Sequence, residues 1–456
     1  MQAQDRATIG ARKRPCGSFF RTASKKSMVI PPREAHHRRM QMPGWIARGA
    51  AVAGLVSCAS QATTGLPART AAEQAKADRY VARFEQKLAE VPDDAGIRYG
   101  LCEAYDDAGR VPDALKCLEG LDLRGWPVSI RAMDFRPTRE DPQFATLLRR
   151  SDARAIRVDG SRVAFTAPAE LVPENVAFDP KTGAFFLGSI PLRKIVRVVD
   201  GRVQVFSKAG VAPPLLSIVG MKVDSERRTL WAASEGKRGA EKALSELLLF
   251  DVDTGELLHR FAAGDGKPHM FNDVVITRTE DVFVSDTLGG GIYRVSNRGS
   301  LRPFVPAGTF PHANGIALSR DEKKLFVAYD LGIAVIDVAT GAHVELRNDS
   351  SSSIAGIDGL YVHRDGLVAV QNGTGLARIV RISLDSEATR ATRVAILESG
   401  NPWFNRAGGT APTTGVLVGD RFYYIANYRP GAPRPGEKPP AEPLEDVRVL
   451  SIPLAP

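Results

Sequence analysis

Six segments of similar pattern recur along the C-terminal two thirds of the chain. Each begins with a short alternating apolar stretch, and successive starts are 45, 53, 42, 44 and 56 residues apart. Two further apolar stretches follow in every copy after Gly-containing or charged turns. The starts are ENVAFDP at 174, VGMKVDS at 219, NDVVITR at 272, NGIALSR at 314, DGLYVHR at 358 and TGVLVGD at 414. This period is typical of propeller blades, so the sequence predicts a six-bladed β-propeller over residues 160–456.

The two ends of the predicted propeller indicate how it closes. The sixth copy stops after its third strand, whereas residues 161–169 form a lone strand before the first copy. Pairing of the lone strand with the last copy would complete blade six. A pair of β-sandwiches is the structural alternative, but it explains neither the regular interval nor the lone strand.

Residues 70–150 have a different, helical period and are rich in Ala, Glu and Arg. Residues 95–121 predict two helices about a turn from Gly109 to Pro112, and they resemble a tetratricopeptide hairpin. A solenoid needs about three such repeats to be stable alone. We therefore expect a small α-helical, tetratricopeptide-like domain that packs on the propeller and could dock a protein partner.

The net charge of +9 is concentrated at the start of the chain. Residues 1–48 hold 11 Lys and Arg but 2 Asp and Glu, and the remainder has 50 of each sign. The chain after residue 48 therefore has no excess of basic residues that could bind a phosphate backbone. Nucleic acid is therefore not an expected partner.

Residues 1–58 have the pattern of a leader segment. Basic residues precede an apolar run, GAAVAGLVS, that is too short to span a membrane and ends at Cys58. The sequence LVSC resembles a bacterial lipobox, in which the cysteine carries the lipid anchor. We expect an exported protein, a periplasmic or outer-membrane lipoprotein that touches the membrane only through Cys58. Simple secretion, no export, and a start at Met40 or Met42 are the alternatives.

Cys102 and Cys117 fall in the two predicted helices of the hairpin. A disulfide in an oxidising compartment and two buried free thiols are both compatible with this placement. The sequence has no C-x-x-C motif and no Cys/His cluster, so its spacing gives no support to a zinc site.

One position in the first strand of each copy is rich in side-chain oxygen. In a propeller the first strands surround the central axis, so equivalent positions converge. This ring position is occupied by Glu174, Val219, Asn272, Asn314, Asp358 and Thr414. Carboxylates with carboxamides are the ligands of a hard divalent cation, and two carboxylates would neutralise one Ca²⁺. A metal site is our interpretation; for any single residue, a solvated turn at a strand start is the alternative.

Four blade starts resemble the regucalcin/gluconolactonase family of six-bladed propellers, and the resemblance covers about residues 165–430. They are PENVAFDPKTGAFFLGSI, FNDVVITRTEDVFVSDT, HANGIALSRDEKKLFVAYD and GIDGLYVHRDGLVAV. The resemblance implies that Glu174, Asn314 and Asp358 bind the metal. It also implies that Asn272 contacts substrate or joins the metal shell, and that Asp358 is the general base.

The reaction implied by the resemblance is hydrolysis of a small lactone or ester, with a divalent cation that polarises the carbonyl. Ca²⁺ is the expected ion, with Mg²⁺, Mn²⁺ and Zn²⁺ as alternatives. The competing hypothesis is a non-catalytic envelope propeller in which a structural metal and the helical hairpin form a binding module.

Some residues near the ring depart from the family pattern. Sugar-lactone members tend to have an arginine where this chain has Met270, so a sugar acid lactone is not the expected substrate. Asp273, beside Asn272, adds a polar group to the expected substrate pocket. His269 and His312 lie close to the ring in sequence; we interpret them as pocket-wall or turn residues, with a catalytic role as the alternative.

Overall fold

The computed structural model describes residues 69–207, 212–236, 244–375, 377–404, 409–429 and 443–454. The chain divides into two compact units, Met1–Thr63 and Thr64–Pro456, and all described residues belong to the second. The leader predicted at 1–58, with Cys58, therefore lies outside the described residues. Within those ranges, no helix is both long and apolar enough to cross a membrane.

Four α-helices form the first part of the described chain. They are α1 (Ala71–Glu90), α2 (Ala95–Asp107), α3 (Val111–Leu123) and α4 (Pro142–Arg154). Thr70 and Glu73 start α1 as a capping box, in which each side chain accepts a hydrogen bond from the backbone N–H of the other residue. Asp94 starts α2 by accepting hydrogen bonds from the backbone N–H groups of Gly96 and Ile97.

Helices α2 and α3 form the predicted hairpin. The structure joins Cys102 to Cys117 by a disulfide, with the two Cα atoms 5.4 Å apart. Tyr99 and Leu118 are fully buried in the apolar core of this region. The same core contains Ala355, a propeller residue, so the helical region and the propeller share buried apolar surface.

Six sheets, each forming one blade, make up the remainder of the described chain. Blade one contains β2 (Pro173–Asp179), β3 (Ala184–Ser189), β4 (Ile195–Val199) and β5 (Arg202–Val205). Blade two contains β6 (Ser217–Asp224), β7 (Thr229–Glu235), β8 (Ser245–Asp251) and β9 (Leu257–Ala262). Blade three contains β10 (Phe271–Ile276), β11 (Val282–Asp286), β12 (Gly291–Val295) and β13 (Arg302–Val305).

The second half of the propeller repeats this meander with two variations. Blade four contains β14 (Ile316–Leu318), β15 (Lys324–Tyr329), β16 (Gly332–Asp337) and β17 (His343–Glu345). Blade five contains β19 (Ile357–His363), β20 (Gly366–Gln371), β21 (Arg378–Leu384) and β22 (Arg390–Ser399), with β18 (Arg347–Asn348) added parallel to β22. Blade six contains β23 (Gly415–Val418), β24 (Arg421–Ile425), β25 (Val447–Pro453) and β1 (Arg162–Ala167).

The closure of the propeller follows the sequence-based prediction. Strand β1 pairs antiparallel with β25, from Arg162 opposite Ser451 to Ala167 opposite Val447. Blade six is therefore built from both ends of the propeller region. The six-bladed fold preceded by helices is confirmed, and the β-sandwich alternative is wrong because each repeat forms its own sheet.

Apolar side chains pack between neighbouring blades, where they hold the sheets face to face. Every residue of β7 is buried, because this strand lies between blades on both of its faces. One such layer joins Trp231 and Leu247 of blade two to Val274 and Val284 of blade three. This packing fixes the inner strands around the central channel, on which the candidate site depends.

Candidate functional site

The ring position coincides with an irregularity in the innermost strands. The pairing of the first with the second strand shifts register between residues 173 and 176, 218 and 221, 271 and 274, and 357 and 360. Each shift brackets a ring residue and the residue after it. In blades four and six the first strand begins just after the ring residue. Such bulges redirect side chains, and they are common beside functional sites.

The inner strands of neighbouring blades approach one another very closely at this level. A Cβ atom at Gly220 would lie 1.9 Å from the backbone oxygen of Asn272. A Cβ atom at Gly315 would lie 2.2 Å from the backbone oxygen of Asp358. Glycine in the position directly after the ring residue therefore allows the first strands of adjacent blades to contact each other. As a result, the ring residues lie together at one end of the channel. We call this end the site face.

The Asp358 carboxylate is held by several hydrogen bonds. Its carboxylate is buried, and Oδ2 accepts a hydrogen bond of 2.8 Å from Thr413 Oγ1. The amide nitrogen of Asn372 also donates to Oδ2, and the side chain of Asn314 makes a further hydrogen bond to Asp358. Burial raises the pKa of Asp358 above its ordinary value, although these three hydrogen bonds act in the opposite direction.

Glu174 is held at the same end of the channel by blade six. Its side chain is buried, and Oε2 accepts a hydrogen bond of 3.2 Å from the Tyr428 hydroxyl. Its backbone oxygen lies 2.7 Å from Thr414 Oγ1 and 3.3 Å from Thr413 Oγ1. The Thr413 hydroxyl thus lies between the backbone of Glu174 and the carboxylate of Asp358.

Asn314 presents an unsatisfied acceptor beside Asp358. Its Oδ1 atom is buried and has no hydrogen-bond partner among the residues that the structure describes. Its side chain nevertheless hydrogen-bonds Asp358, so the amide is anchored on one side. A buried carbonyl oxygen without a donor is costly, and a cation would satisfy it.

Asn272 completes the polar part of the ring. Its side chain is 4% exposed, and Nδ2 donates a hydrogen bond of 3.1 Å to Thr287 Oγ1. Thr287 Oγ1 in turn donates to the backbone oxygen of Ala313, next to Asn314. This chain ties blade three to blade four and orients the Asn272 amide.

The structure places Asn314 beside Asp358 and connects the backbone of Glu174 to Asp358 through the Thr413 hydroxyl. These are the three ligands implied by the resemblance. The remaining ring members take other roles. Val219 is buried in the apolar layer between blades two and three, and Thr414 donates to a backbone oxygen. Within the described ranges, no group of three or more His, Cys, Asp and Glu side chains is placed to hold a metal. Any cation here would therefore depend on carboxamide oxygen as well as on the two carboxylates.

Asp273 belongs to a different cavity from the predicted ligands. It lines a central cavity of about 450 Å³ together with Asn175, Lys222 and Tyr361, beyond the ring and towards the opposite face. Its two carboxylate oxygens accept hydrogen bonds from the backbone N–H groups of Val274 and Ile316. Burial raises the pKa of Asp273 to about 6, and the nearby Asp358 carboxylate also acts to raise it. Asp273 thus lies behind the ring rather than in a pocket on the site face.

His269 and Met270 lie beside the ring without entering it. His269 is 6% exposed, and its Nδ1 and Nε2 atoms lie 2.7 Å from Asp286 and 2.9 Å from Asp265. The hydrogen bond with Asp286, followed by that with Asp265, raises the pKa of His269. The backbone N–H of Met270 donates to the same Asp286. Both imidazole nitrogens are therefore engaged with carboxylates.

His312 faces the helical region instead of the channel. Its Nδ1 atom lies 2.9 Å from the Asp330 carboxylate, and its half-exposed ring meets the Tyr80 ring of α1 at 5.6 Å between centroids. The hydrogen bond with Asp330 raises its pKa. This placement agrees with the interpretation as a turn residue.

A cavity on the site face adjoins the ring. It measures about 290 Å³ and is lined by Pro173, Thr410 and Tyr428, among others. Tyr428 also donates to Glu174, so the cavity borders the ring directly. Sequence reasoning missed Thr413, Asn372 and Tyr428. Thr413 immediately precedes a ring residue, and Asn372 directly follows the second strand of its copy, so both positions carried a signal that could have been used. Tyr428 lies outside the repeated strands.

Among the comparisons with known proteins, one family model matches part of the helical region. A family model described as tetratricopeptide repeat matches residues 71–125, which confirms the predicted resemblance. No curated protein matches the sequence at a significant level.

Several solved structures are similar to this chain at low identity. A gluconolactonase from Xanthomonas campestris is 15% identical, with 65% of this chain and 96% of that chain covered and a TM-score of 0.44. The PQQ-bound aldose sugar dehydrogenase from Streptomyces coelicolor is 16% identical, with 64% and 97% covered and a TM-score of 0.44. Virginiamycin B lyase from Staphylococcus aureus is 12% identical, with 62% and 96% covered and a TM-score of 0.44. The six-bladed architecture itself rests on the strand order described above.

Proposed function

We propose that this protein is a divalent-cation-dependent hydrolase of a lactone or another small ester, of the gluconolactonase type. Glu174, Asn314 and Asp358 would hold the cation. The observation that carries the proposal is the buried Asn314 Oδ1, which has no hydrogen-bond partner in the described part of the chain and lies beside the Asp358 carboxylate. Two buried carboxylates and an unsatisfied amide oxygen at one end of a channel fit a hard cation.

The donor atoms also define the class of ion. All of the proposed ligands are oxygen atoms, and Glu174 and Asp358 together carry the charge needed to neutralise a dication. Ca²⁺ is the proposed ion because it accepts mixed carboxylate and carbonyl ligands in flexible geometry. Calorimetric titration with each ion would show whether Mg²⁺, Mn²⁺ or Zn²⁺ binds instead.

The proposed mechanism assigns a separate task to each residue. When bound, a divalent cation would polarise the substrate carbonyl and make a water molecule more acidic. Asp358 would accept a proton from the attacking water, while Thr413 and Asn372 hold its carboxylate in place. Asn272 would contact the substrate, and the cavity lined by Pro173, Thr410 and Tyr428 would hold its remaining atoms.

The direct test is an assay of the purified protein on a panel of lactones and esters. We expect turnover with Ca²⁺, loss of turnover with a chelator and recovery when the cation is restored. Asp358→Ala should abolish turnover, whereas Asp420→Asn should not, because Asp420 is an exposed acid in the turn between β23 and β24 at the opposite face. Equal turnover by Asp358→Ala would remove the proposed role of Asp358.

Addition and removal of Ca²⁺ also distinguish the hydrolase hypothesis from the hypothesis of a non-catalytic binding module. If Ca²⁺ raises the unfolding temperature while every substrate stays intact, the cation is structural and the hydrolase proposal fails. Isothermal titration calorimetry with Ca²⁺, Mg²⁺, Mn²⁺ and Zn²⁺ identifies the ion in either case. Absence of binding by all four ions would contradict both versions.

Export as a lipoprotein is a second proposal, and the disulfide supports it. Cys102 and Cys117 are paired within the tetratricopeptide hairpin. Such bonds persist in oxidising compartments and are rare in the cytosol. The lipobox-like sequence ending at Cys58 would supply the anchor.

A further inference from the structure

The helical region lies on the site face, above blades four, five and six. Tyr80 of α1 meets His312 in the loop before β14. A Cβ atom at Gly409, in the segment before β23, would lie 2.8 Å from the sulfur of Met133. Because the ring residues lie where the first strands begin, the helices cover the same end of the channel as the candidate site.

The start of α2 lies very close to two loops of blade five. The blade-five loops are defined here as residues 352–356, before β19, and 372–375, after β20. A Cβ atom at Gly96 would lie 2.3 Å from Ser353 Oγ and 3.3 Å from Thr374 Oγ1, so one glycine touches both loops. A Cβ atom at Gly375 would lie 2.4 Å from the Tyr99 ring.

The backbone and side chain at these contacts are also held in place. The backbone N–H of Ser129 donates a hydrogen bond of 3.1 Å to the carbonyl of Gly375. The Tyr99 ring is fully buried, and its hydroxyl donates a hydrogen bond of 2.9 Å to Asp134 Oδ2. The helical region therefore fixes the blade-five loops by backbone contact as well as by side-chain packing.

The blade-five loops are bonded to each other, so one cannot move without the other. The backbone N–H groups of Asn372 and Gly373 lie 3.3 Å and 3.1 Å from the carbonyl oxygen of Gly356, to which they donate. Gln371 Nε2 donates to the backbone oxygens of Ser353 and Ala355, at 3.1 and 2.8 Å. A displacement of either loop by α2 would therefore also displace the other loop.

Both loops lead directly to the candidate metal ligand. Asn372 donates from Nδ2 to Asp358 Oδ2 and to the backbone oxygen of Pro412, the latter at 3.0 Å. Gly356, at the end of the other loop, is followed after one residue by Asp358 itself. The position of the carboxylate and the position of its donor are therefore set by the same pair of loops.

A buried charge reinforces the contact. Arg378 is 7% exposed, and its Nε donates a hydrogen bond of 2.6 Å to Gln371 Oε1. Burial lowers the pKa of Arg378 to about 10, and the Asp94 carboxylate at the start of α2 acts in the opposite direction. Asp94 thus stabilises the cation that holds Gln371 against the blade-five loops.

From these contacts we propose that the start of α2, Asp94–Tyr99, is a positioning element of the candidate metal site. It holds the blade-five loops so that Asn372 and Asp358 meet in the geometry the cation requires. The helical hairpin then helps to position the metal ligands and is not only an accessory repeat. This inference rests on the proposed function for its cation, while the mechanical coupling itself depends only on the contacts described.

The test uses Gly96→Ala in the full chain, with Gly120→Ala as the matched control. The added methyl at residue 96 meets Ser353, whereas at residue 120 the nearest atom is 3.5 Å away, on the flexible Arg124 side chain. We expect Gly96→Ala to weaken Ca²⁺ binding by about tenfold, a usual cost of disturbing groups that orient metal ligands. Gly120→Ala should bind as the wild type does, and Gly96→Ala/Ser353→Gly should recover most of the affinity.

Hydrogen–deuterium exchange gives a readout that needs no cation. The amides of Asn372 and Gly373 should exchange faster in Gly96→Ala than in Gly120→Ala. Faster exchange with no Ca²⁺ binding by the wild type would mean that the coupling stands and the proposed function fails. Unchanged exchange and unchanged Ca²⁺ affinity in Gly96→Ala would overturn the positioning role.

If Gly96→Ala does not fold, a second variant can be used to test the proposal. Asp94→Asn keeps a good helix cap, because Asn and Asp are about equally effective at this position, but it removes the charge near Arg378. We expect a severalfold loss of Ca²⁺ affinity with faster exchange at Gly373. Wild-type values for both quantities in this folded variant would contradict the proposal.

Discussion

The hydroxyl of Thr413 and the carboxylate of Asp358 join blade six to blade five at the mouth of the channel, with 2.8 Å between Oγ1 and Oδ2. Both residues are buried. Because the same hydroxyl lies 3.3 Å from the backbone oxygen of Glu174, one threonine connects three blades. The candidate site thus forms where the propeller closes on itself.

Thr413→Val should weaken the site without unfolding the protein. Valine has nearly the same shape but cannot donate to Asp358, so we expect Ca²⁺ affinity and lactone turnover to fall by about tenfold. The free energy of unfolding should fall by about 2 kcal/mol, because the lost hydrogen bond is made to a buried carboxylate. Calorimetric titration and a chemical denaturation curve measure the two effects.

The control for this change is Thr392→Val, because Thr392 is exposed and its hydroxyl contacts only a backbone oxygen at the strand surface. It should bind and turn over as the wild type does. Wild-type Ca²⁺ affinity in Thr413→Val would show that this hydroxyl does not organise the carboxylate.

Stability should depend on the protonation of His269. Hydrogen bonds with Asp286 and Asp265 raise its pKa above the ordinary value of 6.5. The protonated form is therefore favoured in the folded state, and its stabilising effect is complete below pH 6.5. That effect is lost as the pH rises through the folded-state pKa.

The measurement compares the free energies of unfolding of the wild type and of His269→Gln at a series of pH values from about 6 upwards. The advantage of the wild type should shrink as the pH rises. Thr392→Val, which changes no ionisable group, is the control, and its difference from the wild type should not vary with pH. A constant difference between wild type and His269→Gln would rule out the charged His269 as a source of stability.

Removal of the disulfide should destabilise the helical hairpin. Cys102 and Cys117 are 15 residues apart, and a cross-link of this length contributes about 3 kcal/mol in the chain-entropy model. The double variant Cys102→Ser/Cys117→Ser should therefore unfold at lower denaturant concentration than the wild type under oxidising conditions.

Reducing agent supplies the internal control for the disulfide. It should shift the wild-type unfolding curve towards that of the double variant and leave the variant unchanged. If the reductant does not shift the wild-type unfolding curve and a thiol reagent detects free thiols, the two cysteines are unpaired in solution.

Cys58→Ser should change where the protein is found in the cell. With a lipid on Cys58 the wild type should fractionate with membranes and incorporate labelled fatty acid, because buried acyl chains supply the binding energy. The serine variant cannot be acylated at this position and should appear in the soluble exported or unprocessed fraction. Equal fractionation of the two proteins, without label in either, would exclude the lipoprotein proposal.

The blade pattern could be predicted from sequence because it is local. Alternating apolar residues and turn residues define each strand, and their interval defines the blade. The lone strand at 161–169 could be assigned to blade six because the sixth copy stops after its third strand and lacks a fourth. The ring position could be identified because equivalent positions in a repeat fold converge on one axis, and the family resemblance then singled out Glu174, Asn314 and Asp358 within it.

Other features were decided only by tertiary contacts. The bulges at residues 174–175 and 358–359, which redirect two successive side chains, arise from the pairing of first and second strands and leave no mark on the apolar period. Asn372 reaches Asp358 from a loop, and the helices α1 and α2 lie over blades four and five. Both depend on contacts between residues distant in sequence. The amino-acid sequence by itself determined the repeat and its polar ring, because these follow from local periodicity. Only packing between blades and helices decided which side chains hold that ring in place.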